Sequence, residues 1–369
     1  MTPEVAPSPG RRRWLLAATA VLGVVVLGLA VGLVALRTAD DRPRAVAGAL
    51  LVPAYADEEP TEPGELLLPW ARLDVSVAGP YDALPDDDAG VRPPAGGSFV
   101  RVEVDLDPAT GLIPYATLTS PFVGSSELVL RADGRDYRLD GEGGLPLDPS
   151  LRTVDGIRWV AVEGRPADLS LVVTTDGVEE VVHADGTVEL GRAADLDGLP
   201  TPDELRTVKP RPCGRSRVVG DPVARIDYPK RLTCDVDLVL RVPYVDGLGW
   251  ADPGREFLVV QVATTTYVSL AAGQARAKTF FYRESVERTA TLGGADPVAP
   301  AADVNSLNQG MLALSDPDEP VQLVFDVPVD GEVGPLQIDL VVTAADRDPF
   351  VRGDVRVVHR WSVPQEDLA

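Results

Sequence analysis

Cysteine and histidine, the side chains that most often carry nucleophilic, acid–base and metal chemistry, are scarce in this chain: Cys213, Cys234, His183 and His359 are all there are. A cysteine nucleophile needs a base beside a thiolate, and a structural zinc needs four soft or imidazole ligands. The cysteines stand 21 residues apart, and both histidines are far from them in sequence. That spacing fits a disulfide in an oxidising compartment better than free thiols, closing a loop worth about 3 kcal/mol in the chain-entropy model. A serine nucleophile would need a histidine base held by an acid, yet no GxSxG-type motif flanks His183 or His359. One histidine precedes the turn signal Asp185-Gly186 and the other lies in an apolar alternation near the end, so both read as strand residues.

Carboxylates are abundant instead, with 57 acidic residues against 34 basic ones. Many pairs could serve glycoside hydrolysis, but that abundance removes the signal, because scattered acids are the usual covering of a solvated surface. Asp86-Asp87-Asp88, Asp105-Leu106-Asp107 and Asp195-Leu196-Asp197-Gly198 come nearest to calcium loops. None has the alternating oxygens and closing Glu of an EF-hand. No Gly-rich loop leads from a strand into a helix, so nucleotide binding has no support. The reading is a chain without catalytic residues, metal or cofactor. Contact residues are the better candidates. Phe280-Phe281-Tyr282 places three aromatics in a row, of which one side of a strand could be exposed as a contact surface. Trp70, Trp159, Trp250 and Trp361 fall in or beside predicted strands, where packing is their expected role.

Everything that positions these residues follows an apolar run from Trp14 to Leu36 that has no charged side chain. Its 23 residues would make a helix of about 35 Å, enough to cross a hydrocarbon core about 30 Å thick. A cleaved export signal is the competing reading, with Ala45-Val46-Ala47 as its site, but the run exceeds the roughly 7 to 15 residues of such a signal. Length therefore favours an uncleaved anchor, with the lipid bilayer as a partner through residues 14–36. Gly28 and Gly32 form a GxxxG pair that could let this helix pack against another. Flanking arginines nearly tie, with Arg11, Arg12 and Arg13 before the run and Arg37, Arg42 and Arg44 after it, so they leave orientation open. The paired cysteines and the acidity of the remainder favour placing it outside the cell membrane. All but one of the acidic residues follow Leu36, a surface that repels nucleic acid and anionic headgroups alike.

About 330 residues beyond the anchor are a prior for two domains. Composition divides the chain into a tail (1–13), the helix (14–36), a Pro-, Asp- and Glu-rich stalk (37–65), a first β-sandwich (66–192), a Pro-rich linker (193–212) and a second β-sandwich (213–364). Strict alternation over Arg72–Val77 and Phe99–Leu106 is the half-buried strand signal, and Val178–His183, Cys234–Val242 and Val355–Val363 read as further strands. Asp133-Gly134, Asp155-Gly156, Asp176-Gly177 and Asp185-Gly186 supply hairpin turn chemistry. An insertion from about Tyr267 to Ser315 reads as a helix or an extra hairpin, and Pro202–Leu205 as one helical turn in the linker. A repeat supports two copies of one unit: Pro94–Val104 echoes Asp252–Val262, and Arg158–Val162 with Leu169–Val173 echoes Val321–Val327 with Leu336–Val342.

The Gly-turn leading into Phe99-Val100-Arg101-Val102-Glu103-Val104, then Trp159–Pro166, then the closing Leu169-Ser170-Leu171-Val172-Val173 resembles the telokin-like, immunoglobulin-like extracellular domains of Gram-positive, actinobacterial surface proteins. That resemblance covers roughly residues 70–190 and, less closely, 235–364. It implies two tandem immunoglobulin-like antiparallel β-sandwiches behind a single N-terminal transmembrane helix, with no catalytic residues to transfer. Many such proteins hang from a lipid-modified cysteine, and this chain departs by having none after its apolar run. The expectation is a membrane-anchored, extracytoplasmic, non-catalytic binding or assembly protein of the cell envelope, with an envelope protein or wall ligand as partner. The alternatives are an accessory subunit of a membrane transport or secretion complex and a hydrolase of cell-wall polymer.

Overall fold

The structure, a computed structural model, describes residues 42–52, 63–85, 90–107, 126–140, 143–147, 155–201, 204–205, 207–220, 224–226, 233–264, 270–272, 279–299, 302–303, 320–346 and 355–368. Residues 14–36, Gly28 and Gly32 among them, and Asp86–Asp88 lie outside these. No helix among the described residues is long and apolar enough to cross a membrane. The described chain is all-β, in antiparallel sheets, with helix limited to short turns.

The N-terminal half holds β1 (Leu50–Leu51), β2 (Gly64–Leu68), β3 (Ala71–Tyr81), β4 (Ser98–Asp107), β5 (Ser126–Ala132), β6 (Arg135–Arg138), β7 (Asp155–Val162), β8 (Leu169–Thr175), β9 (Val178–His183) and β10 (Val188–Glu189). One sheet runs β1-β7-β4-β3-β2 and the other β10-β9-β8-β5-β6. Their facing sides share a core that includes Leu73, Val102, Leu130, Val160 and Leu171. The C-terminal half holds β11 (Arg211–Pro212), β12 (Arg217–Gly220), β13 (Ala224–Ile226), β14 (Cys234–Val242), β15 (Tyr244–Val245), β16 (Gly249–Trp250), β17 (Arg255–Thr264), β18 (Leu270–Ala272), β19 (Thr279–Leu292), β20 (Ala302–Asp303), β21 (Val321–Pro328), β22 (Leu336–Asp346) and β23 (Val355–Val363). Here the sheets run β11-β14-β17-β21-β20 and β12-β23-β22-β19-β18-β13, around a core with Leu258, Phe325, Leu336, Leu340 and Trp361.

The two halves repeat one plan. In chain order, β3, β4, β5, β7, β8 and β9 correspond to β14, β17, β19, β21, β22 and β23. The first sheet of each pair has the order β7-β4-β3 or β21-β17-β14, and the second β9-β8-β5 or β23-β22-β19. The sequence echo of β4 with β17, of β7 with β21 and of β8 with β22 therefore joins strands in equivalent places.

Turn chemistry acts as expected at two hairpins. Asp133 and Gly134, like Asp176 and Gly177, have positive φ at both positions, which a tight primed turn requires. Asp155-Gly156 differs: it opens β7, paired with Asp105 and Val104. Such a dipeptide permits a turn without requiring one, and Gly156 uses φ 149° where a Cβ would stand 3.0 Å from the Arg158 guanidinium. The 267–315 stretch is also more integral than an insertion. Its main element is β19, an inner strand of its sheet that pairs with β22 over most of its length.

The largest departure lies at the start. Residues 42–52, read from composition as belonging to a stalk, are folded onto the N-terminal sheets. β1 pairs with β7, Gly48 N–H donates to Ala161 O (2.7 Å), and Ala45 N–H donates to Arg92 O (2.8 Å). Ala45, Ala49 and Leu51 are small or apolar enough to cover Phe99 and Trp159 on the outer side of the sheet. Composition sees Ala and Pro here; what decides the conformation is an apolar surface elsewhere in the chain that needs covering.

Candidate functional site

The two halves meet at a built junction, and one strand explains how. The sequence Cys234-Asp-Val-Asp-Leu-Val-Leu-Arg-Val242 has an apolar residue at every even position, which on its own puts all five on one face. In β14 a bulge at Asp237 interrupts this: Val236 pairs with Val262, and Leu238 with the next residue, Gln261. An extra residue flips the parity of everything after it. Cys234 and Val236 thus enter the C-terminal core. Leu238, Leu240 and Val242 face the opposite way, with Phe257, Val259 and Val324 of the neighbouring strands. Burial and the charge of Asp235 raise the pKa of the Asp237 carboxyl at this bulge.

What covers that second face is the segment read as a linker. Gly191–Leu196 forms a 3-10 turn that buries Ala193 and Leu196. Farther on, Thr201 and Glu204 form a capping box: Thr201 N–H donates to Glu204 Oε2 (2.8 Å) and Glu204 N–H donates back to Thr201 Oγ1 (3.4 Å). The first of these bonds lowers the Glu204 carboxyl below its usual pKa. The turn so fixed presents Leu205, which joins Leu196, Ala193 and Leu67 of β2 in one cluster with the β14 face. This stretch is a packed wedge rather than a free tether.

Polar contacts fix the orientation. Tyr244 and Trp250, edge to face at 5.2 Å, stand on the β15–β16 hairpin. Tyr244 donates its hydroxyl to Asp176 Oδ2 (2.6 Å), and Trp250 Nε1–H donates to Thr175 O (2.8 Å), both at the tip of the β8–β9 hairpin. Arg192 of the wedge donates to Ala251 O. Burial first, and then the bond to Asp176, pushes the Tyr244 phenol well above its ordinary pKa, so it remains a donor. Beside these contacts lies an open cleft of about 590 Å³, lined by Asp176, Arg192, Leu248 and Trp250. Behind them Glu180, 1% exposed, accepts the Leu67 N–H (2.8 Å). Desolvation pushes its carboxyl up to about 8, against the lowering effect of that hydrogen bond, so it is protonated at neutral pH.

The remaining sequence candidates are spread out. Cys213 and Cys234 are bridged, as the spacing predicts, and the bridge ties the end of the wedge segment to the start of β14. Phe280, Phe281 and Tyr282 lie in β19, with Phe281 between Leu270 and Asp346. His183 bonds Glu189 (3.0 Å) across the β9–β10 hairpin. His359 is enclosed beside Trp361, and burial lowers its pKa. Leu196 of the calcium-loop candidate 195–198 belongs to the wedge. Among the described residues no three His, Cys, Asp or Glu side chains gather as metal ligands. Sequence reading missed Glu180, Tyr244 and the Leu238–Val242 face. One signal existed: Phe257-Leu258-Val259-Val260 is a continuous apolar run, the mark of a strand covered on both sides. Neither a protein-family model nor a curated protein matches this chain.

Proposed function

We propose that this chain is a membrane-anchored, extracytoplasmic binding or assembly protein of the cell envelope, with two tandem immunoglobulin-like sandwiches and no catalysis of its own. The observation that carries the reading is the combination of an uncharged apolar run of membrane-crossing length, Trp14–Leu36, with a disulfide-closed, acidic all-β region after it. The immunoglobulin likeness draws support from strand order. In each half the first, second and fourth strands of the shared plan lie in one sheet and the third, fifth and sixth in the other, as ABE and CFG do in such sandwiches. β20 beside β21 stands where strand D would. The non-catalytic reading draws support from the histidines, one spent on a hairpin contact and the other enclosed. Phe280, Phe281 and Tyr282 remain its candidate contact surface.

The full chain should stay with membranes after an alkaline carbonate wash, and its cysteines should react with thiol reagent only after reduction. Release into the wash, or labelling of both cysteines without reductant, sinks the reading. Turnover of muropeptides by the purified protein would replace binding with hydrolysis. Gly28 and Gly32 favour a second reading, an accessory subunit of a membrane transport or secretion complex. Crosslinking from within residues 14–36 recovers integral membrane partners in that case, whereas the first reading gives a soluble envelope protein or wall ligand held by the β region.

A further inference from the structure

The folded arm 42–52 changes where the N-terminal sheets stand. A spacer running from residue 37 to 65 would have a contour of about 100 Å, and as a flexible coil an average span of about 30 Å. With the arm packed down, six residue steps separate Leu36 from Arg42, at most about 20 Å when fully extended. The headgroup layer beyond a hydrocarbon core takes up roughly 5–7 Å of that.

A second observation marks the same place. Val46 at 78% and Val52 at 64% are the most exposed large hydrophobic side chains among the described residues, and both are on the arm. Arg44 rests its guanidinium on the Pro93 carbonyl (3.2 Å), a neutral partner that leaves its charge in place. The nearby acids are occupied: Asp133 Oδ1 accepts the N–H groups of Ala167 and Asp168 (both 3.0 Å), and Glu163 pairs with Arg135. Val46, Asp133, Arg135 and Glu163 border a cleft of about 710 Å³ between the arm and the Pro94-Ala95 turn. Exposed aliphatics next to arginine suit the boundary between headgroups and water, where apolar side chains enter and guanidinium meets phosphate.

We propose that the 42–52 arm is a membrane-apposed face, docked on the phospholipid headgroups of the bilayer that holds residues 14–36; this rests on the anchored reading above. The arm holds the N-terminal sheets down by the β1 edge, and β2, which brings Leu67 to the junction, is the opposite edge of the same sheet.

The test uses the full chain in phosphatidylcholine vesicles containing a nitroxide-headgroup lipid. Both native cysteines are bridged, so Val46→Cys and, as the control on the C-terminal half, Val329→Cys each offer a single thiol for a fluorophore. Both positions are exposed and tolerate a label. Quenching should be several-fold stronger at 46 than at 329. Equal quenching at the two sites, or none at 46 while the protein floats with the vesicles, overturns the proposal and leaves the anchored reading intact. Protein that does not float at all overturns both.

Discussion

The N-terminal and C-terminal sheet pairs share six strands in the same order, yet each adds different things to them. The N-terminal pair adds an arm over Phe99 and Trp159 and a buried acid, Glu180, behind its junction edge. The C-terminal pair adds a disulfide, a bulge in β14 and the Tyr244–Trp250 hairpin. The shared strands bury the cores, whereas the additions make the joint and the arm. The two halves thus differ in what is added without disturbing the strand plan they share.

Removing the junction face alone is the harshest test of that division. Leu238→Ala with Leu240→Ala empties two buried positions at the junction and none in the C-terminal core. At about 2–5 kcal/mol for each truncated leucine, the loss should reach about 4–10 kcal/mol by denaturant titration, with Cys213 and Cys234 still bridged. pH separates the halves next. Glu180 is protonated in the fold up to about pH 8 but ionised in the unfolded chain above its ordinary value of 4.5. Folding therefore takes up a proton in that window, and stability declines as pH rises from about 4.5 to 8, by at most about 5 kcal/mol. Glu180→Gln should flatten this slope in thermal melts, and an unchanged slope would show the carboxyl to be ionised in the fold. His359 acts in the opposite sense, since burial lowers its pKa and the unfolded chain binds a proton first on acidification; stability from this group is lost as pH falls below about 6.5. Replacing Cys213 and Cys234 together by Ser should cost about 3 kcal/mol, read as a lower denaturant midpoint. The smallest effect belongs to Tyr244→Phe, which removes a hydrogen bond to a carboxylate worth about 1.5–3 kcal/mol. Its signature is a broader distance distribution between probes on the two halves, with both cores unchanged.

Local pattern made much of this fold legible. Strict alternation marked most of β3 and β4, because one buried face imposes it, and strand texture bounded β9, β14 and β23 to the residue. The turns at Asp133-Gly134 and Asp176-Gly177 and the pairing of Cys213 with Cys234 were equally readable, whereas Asp155-Gly156 opens a strand. The junction was not, because it depends on which distant surfaces remain apolar once the sheets have formed. A bulge hides inside apolar residues at every even position, since Asp237 is the residue type either register would accept on a solvated face. The arm hides for a related reason: Ala45, Ala49 and Leu51 look like spacer composition until Trp159 and Phe99 are placed beneath them. Glu180 is legible only by its neighbours, as one acid among 57.

The arm also has a mechanical meaning. It is held by a two-residue strand and a few flanking backbone hydrogen bonds, each worth about 1 kcal/mol net, while the cores behind it are cross-braced by long strands. Were the chain pulled at Arg42, load would reach these bonds first and break them in succession. Peeling 42–52 away would release about 35 Å of slack with both cores still folded. The attachment would then behave as a fuse: short at rest, longer under tension, and able to reset once the load is gone.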